Sequence, residues 1–180
     1  RSMAKKEDLI GFLGDGTSTY FGETGIVGAF ETIADQAEGL SNVAGVTVAA
    51  GPAYTDITLA DFRSVVGTLH EDADEDAKWY MNKKFYFDVV YPLAENAGAA
   101  KIVEILSNRK DRHLLGYPVE FVSAMPSTAA ADQVCAVLGD LNLGAFLGER
   151  RELRIDRSDE VFFGNDQIAV RGTERVDFNV

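Results

Sequence analysis

Apolar residues in this chain come in short runs separated by glycines, acids and mixed charges, and no single period governs the whole. Asp8 to Leu13 reads as the apolar end of an element. Gly14 to Gly25 carries four glycines with Asp15, Thr17, Ser18 and Thr19, which predicts a loop. Ile26 to Phe30 is a short apolar stretch, and Ile33, Ala37 and Leu40 follow at helical spacing until Gly39 limits them. Val43 to Ala50 is small and β-branched and closes on Gly51-Pro52, as a strand or extended segment does.

The clearest helix runs from Thr58 to Leu69. Thr58-Leu59-Ala60-Asp61 fits a capping box, and Leu59, Phe62, Val65, Val66 and Leu69 share one face. The acidic run His70 to Asp76 ends it in solvent. Ala77 to Met81 reads as a strand, and Asn82 caps a second helix bearing Phe85, Phe87, Val89 and Val90. Pro92 lacks an N–H and is expected to kink or end that helix near Tyr91. Ile102 to Leu106 is an apolar patch, and Asn108 to His113 a charged turn.

Beyond it, Leu114 to Ala124 alternates as one strand, with Tyr117, Val119 and Phe121 on one side, and Met125-Pro126 ends it. Ser127 to Leu138 is ambiguous between helix and strand. Arg151 to Ile155 alternates cleanly, and Ile168 to Arg171 with Arg175 to Val180 forms one or two terminal strands. Two or three helices among scattered strands predict an α+β fold with a mainly antiparallel central sheet flanked by helices.

The 180 residues are enough for one self-sufficient core, since a chain of this size buries about 70% of its unfolded surface. Seventeen Lys and Arg against 29 Asp and Glu give a net charge of −12. That balance disfavours a sequence-independent nucleic-acid grip or docking on an anionic membrane, because both need a basic face. One cysteine, Cys135, excludes an intrachain disulfide, and two histidines leave little for zinc. No apolar run approaches the roughly 18 residues of a spanning helix. Arg1-Ser2 ahead of Met3 suggests that residues 1–3 are a cloning scar.

The familiar chemical motifs are missing. Asp72, Asp74 and Asp76 alternate as in a calcium loop, but Ala77 stands where the sharp turn needs Gly and Lys83 where a bidentate Glu is needed. The Gly14 loop lacks a Gly-Lys-Ser/Thr ending and a Gly-x-Gly-x-x-Gly. There is no Gly-x-Ser-x-Gly. His113 lies beside Lys110, Asp111 and Arg112 and reads as a surface residue. Cys135, among alanines and valines, reads as a buried inert thiol. No catalytic residue, cofactor or metal is expected, and this inventory favours a structural or binding protein over an enzyme.

One ordered series of short patterns does carry information. Leu114-Leu115-Gly116-Tyr117-Pro118-Val119 leads to Ala124-Met125-Pro126, then Val137-Leu138-Gly139-Asp140-Leu141. Gly148-Glu149-Arg150-Arg151, Leu153-Arg154-Ile155 and Asp166 to Asp177 follow. The series resembles the C-terminal half of tailed-phage major capsid proteins of the Hong Kong type. Upstream, Gly11 to Thr17 resembles the segment after the family's long spine helix, and Trp79 to Asn82 the strand-to-helix entry of its axial domain. The resemblance covers about Glu7 to Val180 and makes Val134 to Leu138 a strand.

By that resemblance residues 4–24 are the end of the spine helix and a connecting loop. Residues 25–145 are the axial domain, and 146–180 the C-terminal part of the peripheral domain. The N-terminal arm, extended loop and most of the spine helix find no counterpart. The implied function is a major capsid subunit of a tailed phage or prophage that self-assembles into pentamers and hexamers enclosing DNA. It would sit in the virion after assembly in host cytoplasm.

Charged flanks then become candidate subunit interfaces: Glu71, Asp72, Asp74, Arg109, Arg112, Glu149, Arg150 and Arg151. Some relatives cross-link subunits through an asparagine assisted by a glutamate, which makes Asn165 or Asp166 with Glu174 the matching positions, without a loop lysine. The 180 residues alone are expected to be a monomer or weak oligomer. Two other readings stand beside this one: an encapsulin-like compartment shell with the same fold, and a small-molecule-binding or hydrolytic α+β domain, which a deep pocket with convergent polar groups would favour.

Overall fold

A computed structural model describes residues 2–30, 45–96, 112–130, 133–161, 163–165 and 167–179. The expected helical spacing at Ile33 to Leu40, the patch Ile102 to Leu106 and Arg109 lie outside them. Helix α1 (Ser2–Leu13) leads into the predicted glycine loop. Three glycines let that loop double back on the helix end. A Cβ on Gly14 would lie 2.6 Å from the Glu23 carbonyl oxygen, and one on Gly25 or Gly28 would overlap backbone of Ile10 or Gly14. The backbone exploits this closeness: Gly25 N–H donates to Gly14 C=O at 2.9 Å and Gly16 N–H to Glu23 C=O at 3.0 Å. Residues 26–30 are helical, with Ile26 and Val27 buried.

Helix α2 (Leu59–Thr68) begins where the capping pattern predicts. Thr58 N–H donates to the Asp61 carboxylate at 2.7 Å and its hydroxyl donates to the same oxygen at 2.9 Å. Phe62 is its buried residue. Its ring meets Trp79 edge-on at 5.6 Å, a favourable aromatic geometry.

Trp79 stands on β1 (Lys78–Met81), a central strand of the four-stranded sheet. The other strands are β2 (His113–Leu114), β3 (Tyr117–Phe121) and β4 (Ala136–Gly139), in the order β2-β3-β1-β4. β4 runs antiparallel to β1 with Trp79 opposite Leu138, and β2 antiparallel to β3. β3 runs parallel to β1 with Trp79 opposite Val119. The sheet is therefore mainly antiparallel, in an α+β fold. One parallel pair forces a crossover between β1 and β3.

The helical part of that crossover starts at Asn82, whose side chain accepts from Lys84 N–H at 2.9 Å and donates to Met125 C=O at 2.8 Å. It comprises α3 (Lys83–Phe85), a π segment (Tyr86–Val90) and α4 (Tyr91–Asn96). Of the two outcomes expected at Pro92, a kink or an end, the end does not occur. Tyr91 N–H already reaches back five residues to Tyr86 C=O. That wider turn changes the ladder just ahead of the proline, where its missing N–H and ring would otherwise disrupt an α-helix.

Two further expectations are corrected. Leu114 to Ala124 is not one strand but the hairpin β2–β3, because Leu115 (φ 54°) and Gly116 (φ 94°) take the double positive-φ turn that reverses a chain in two residues. Leucine is unfavourable there, but its side chain packs on the core. Residues 45–50, the described part of the expected Val43 to Ala50 strand, form no regular element.

After α5 (Leu141–Gly144), β5 (Phe146–Ser158) and β6 (Ala169–Asn179) pair antiparallel as a separate two-stranded sheet. The expected alternation at Arg151 to Ile155 thus lies on a strand, and the two C-terminal segments form a single one.

The indole N–H of Trp79 donates to Leu114 C=O at 3.0 Å in a buried setting. Trp79→Phe removes ring volume and orphans that carbonyl. The expected loss is about 2–4 kcal/mol, read as a lower urea midpoint with unchanged slope.

Candidate functional site

The β5–β6 ribbon presents two unlike faces. Register pairs Ile155 with Gly172, Asp156 with Arg171 and Arg157 with Val170. Alternation puts Arg154, Asp156 and Arg171 on one face and Ile155, Arg157 and Val170 on the other. On the first face Asp156 accepts from Arg154 at 2.7 Å and Arg171 at 3.3 Å. Hydrogen bonding from Arg154, then from Arg171, holds the Asp156 carboxyl below the usual carboxylate range. On the second face Arg157 pairs with Asp159 at 2.9 Å. Ile155 is 67% exposed and Val170 69%, and Phe146, Val161 and Ile168 are exposed along the same ribbon and its turn. Ile155 and Val170 share that face with Arg157 and Gly172, and their exposed side chains make it a candidate contact surface.

The charged candidates fall at different places. Glu149, Arg150 and Arg151 lie on β5, where the register shifts between Glu149 and Arg151 and again before Arg154. Asn165 is exposed in a 3₁₀ turn (Phe163–Asn165) at the ribbon's tip. Asp166 lies outside the described residues. Glu174 sits five residues along β6 from Ala169, roughly 17 Å at strand rise.

Glu71 and Asp72 are exposed on a 3₁₀ turn (Glu71–Ala73). His70 Nδ1 lies 3.4 Å from the Asp72 carboxylate, with both side chains in solvent, so the pair contributes little. Asp74 is committed: the Tyr117 hydroxyl donates to its carboxylate, tying the acidic run to the β2–β3 hairpin.

Arg112 is no free flank. Its guanidinium lies 4.6 Å from the Phe121 ring centroid, 5.5 Å from Phe87 and 5.9 Å from Tyr86, half-buried over an aromatic cluster. His113 is likewise not on a charged surface turn. It pairs on β2, and its Nδ1 is buried without a hydrogen-bond partner.

Cys135 is half-buried; burial pushes its thiol up, and its Sγ donates to Gln133 C=O at 3.5 Å. That is the reverse of an activated nucleophile. Among the described residues no three His, Cys, Asp or Glu are placed to hold a metal, and no helix is long and apolar enough to cross a membrane.

The exposed apolar ribbon face was not singled out from sequence. The signal was present in Arg154-Ile155-Asp156-Arg157 and Ile168-Ala169-Val170-Arg171. Alternation gives each residue a face of its own strand; only the register shows that Ile155 and Val170 share one, and neither says that the face stays uncovered.

The family model described as "Phage capsid family" matches residues 1–180. No curated protein matches the chain. Among solved structures, a chain of the "Capsid of native GTA particle computed with C5 symmetry" is similar at 19% identity and a TM-score of 0.60, over 99% of this chain and 58% of that one. A chain of the "Capsid of empty GTA particle computed with C5 symmetry" is similar at 22% identity and a TM-score of 0.51, over 73% and 44%. The fold is shared with these chains, and this chain spans about half their length.

The bond to Asp74, then desolvation, raises the Tyr117 phenol above its ordinary value of about 10. A group whose pKa is raised by folding contributes stability that is fully present below its unfolded pKa and is lost as pH climbs through the folded one. Above about pH 10 the protein should therefore lose stability more steeply than Tyr117→Phe. Urea midpoints across that range check it; parallel curves would remove Tyr117 from the account.

Proposed function

The chain belongs to the phage capsid family, and from that premise we propose that it is a major capsid subunit of a tailed phage or prophage, self-assembling into pentamers and hexamers around DNA. The observation that carries this reading is the ribbon. Two strands alone are marginal in water, and β5–β6 adds exposed Ile155 and Val170 on one face. A neighbouring subunit laid on that face relieves both deficits. In a ring such contacts are heterologous, one patch meeting a different patch on the next copy.

The remaining assignments follow the same reading. Residues 4–24 serve as the spine-helix end and its loop, 25–145 as the axial domain and 146–180 as part of the peripheral domain. Glu71, Asp72, Glu149, Arg150 and Arg151 are proposed to set register between copies, since charge complementarity orients more than it holds. A net charge of −12 suits a wall that encloses DNA without gripping it. The role is structural, not enzymatic, with the subunit ending in the virion after assembly in host cytoplasm.

Shells sum many linked contacts, so losing some of them costs far more than their area suggests. The 180-residue chain alone should be a monomer or small ring at micromolar concentration; light scattering with electron microscopy reads this, and closed shells would contradict it. In the full-length reading frame, Ile155→Lys with Val170→Lys should abolish closed particles while leaving the melting temperature of the unassembled subunit within about 2 °C. Normal particles from that double variant would overturn the ribbon's role.

A further inference from the structure

Phe21 is the most exposed large apolar side chain among the described residues, at 72%. Its backbone is left-handed, φ 60° and ψ 19°, a conformation unfavourable for a bulky residue. The loop around it is firmly bonded. Gly22 N–H donates to Thr17 C=O at 2.8 Å, Glu23 N–H to Tyr20 C=O at 3.1 Å and Thr17 N–H to the Asp15 carboxylate at 2.9 Å. A strained backbone thus holds an aromatic ring out in water, and neither cost is offset among the described residues. An outlier of this kind points to a role outside its own fold. A ring fixed in place before it binds also loses little entropy on binding.

Phe87 is the matching feature. It is 42% exposed on the crossover helix, with the Arg112 guanidinium 5.5 Å from its ring centroid. Lys83 and Lys84, both exposed, stand about one turn before it and outweigh the exposed Asp88. The loop has the opposite charge: Gly14 to Gly25 carries Asp15 and Glu23 and no Lys or Arg. The two features also belong to opposite faces of the central sheet. The Phe12 ring, near the end of α1, lies 5.9 Å from Tyr80. Arg112 lies over Phe121, which pairs with Met81 and so shares the other face of β1 with Trp79.

We propose that the loop bearing Phe21 docks on the Phe87 face of a second copy of the chain, with the loop's acids toward Lys84 and Arg112. The contact rests on the reading of the chain as a shell subunit and names which patch of one copy meets which patch of the next. Features on opposite faces suit a ring, because each copy then meets one neighbour with its loop and the other with its helix. Aromatic rings and arginine are the groups that anchor interfaces, and anchors tend to pair with anchors. The opposite charges fix the orientation.

Photo-cross-linking in the full-length reading frame tests it. With Phe21 replaced by p-benzoylphenylalanine, particles built from mixed isotope-labelled and unlabelled subunits should, under ultraviolet light, form bonds between copies. Mass spectrometry should place those bonds in the peptide holding Phe87 or the one holding Arg112. Phe21→Gly should raise the protein concentration needed for particles about tenfold or more. Its unassembled subunit should melt at or above the wild-type temperature, because glycine relieves the left-handed backbone. A residue that serves only its own subunit's fold predicts a lower melting temperature. Lys84→Glu should raise the same concentration about threefold in low salt and less in high salt. A wild-type frame that forms no particles would remove the shell reading and this contact with it. Wild-type particles together with a cross-link elsewhere, no cross-link, or unchanged assembly of Phe21→Gly would overturn the contact alone.

Discussion

The buried hydrogen bond from the Trp79 indole to the Leu114 carbonyl holds together the parts that chain connectivity keeps apart. It links residues 35 positions apart in sequence. β1 is paired on both sides, so whatever fixes β1 fixes β3 and β4. The same ring takes Phe62 of α2 on its edge. One residue past β1's end, Asn82 starts the crossover helix and holds the Met125 carbonyl. Two side chains on one short segment thereby coordinate both helical elements, the hairpin and the chain leaving β3. An indole donor in a core is tolerable only with its acceptor in place, so the hairpin's position is a condition of the core's stability.

Local rules carried most of the reading of this domain from its sequence. Thr58 with Asp61, Asn82 before Lys84, and the alternation around Ile155 are signals contained within a few residues, and each stands in the fold as expected. The misreadings came where a local rule met a second influence. Leu115 accepts a positive φ because its side chain is repaid by packing. Pro92 stays inside a helical run because the π segment ahead of it rearranges the ladder. The parallel pairing of β1 with β3 was invisible, since alternation encodes a strand's face and not its direction. The ordered series of short motifs was a stronger guide to family than any one element was to topology.

Charge was the least reliable guide to the candidate surface. Arg112 and Asp74 read as two free ends of ionic contacts, yet one covers aromatic rings and the other accepts a tyrosine hydroxyl. Sequence shows that a residue is charged, but only tertiary contacts show whether that charge is available to a partner. The uncovered apolar positions Ile155 and Val170 are the more informative ones, because the fold offers them nothing among the described residues.

The ribbon's long edges have a consequence for the chain on its own. Thirteen residues of β5 and eleven of β6 form only one ladder, which leaves a row of amide donors and acceptors on each outer side. Such edges recruit any strand at hand, correct or not. Strand addition at such an edge is a kinetic matter, set by how fast any extended segment finds it and pairs. The register shifts between Glu149 and Arg154 twist that edge, and the arginines beside Ile155 and Val170 interrupt its apolar character. Both act as brakes. They slow indiscriminate pairing along an edge that the fold itself leaves open among the described residues.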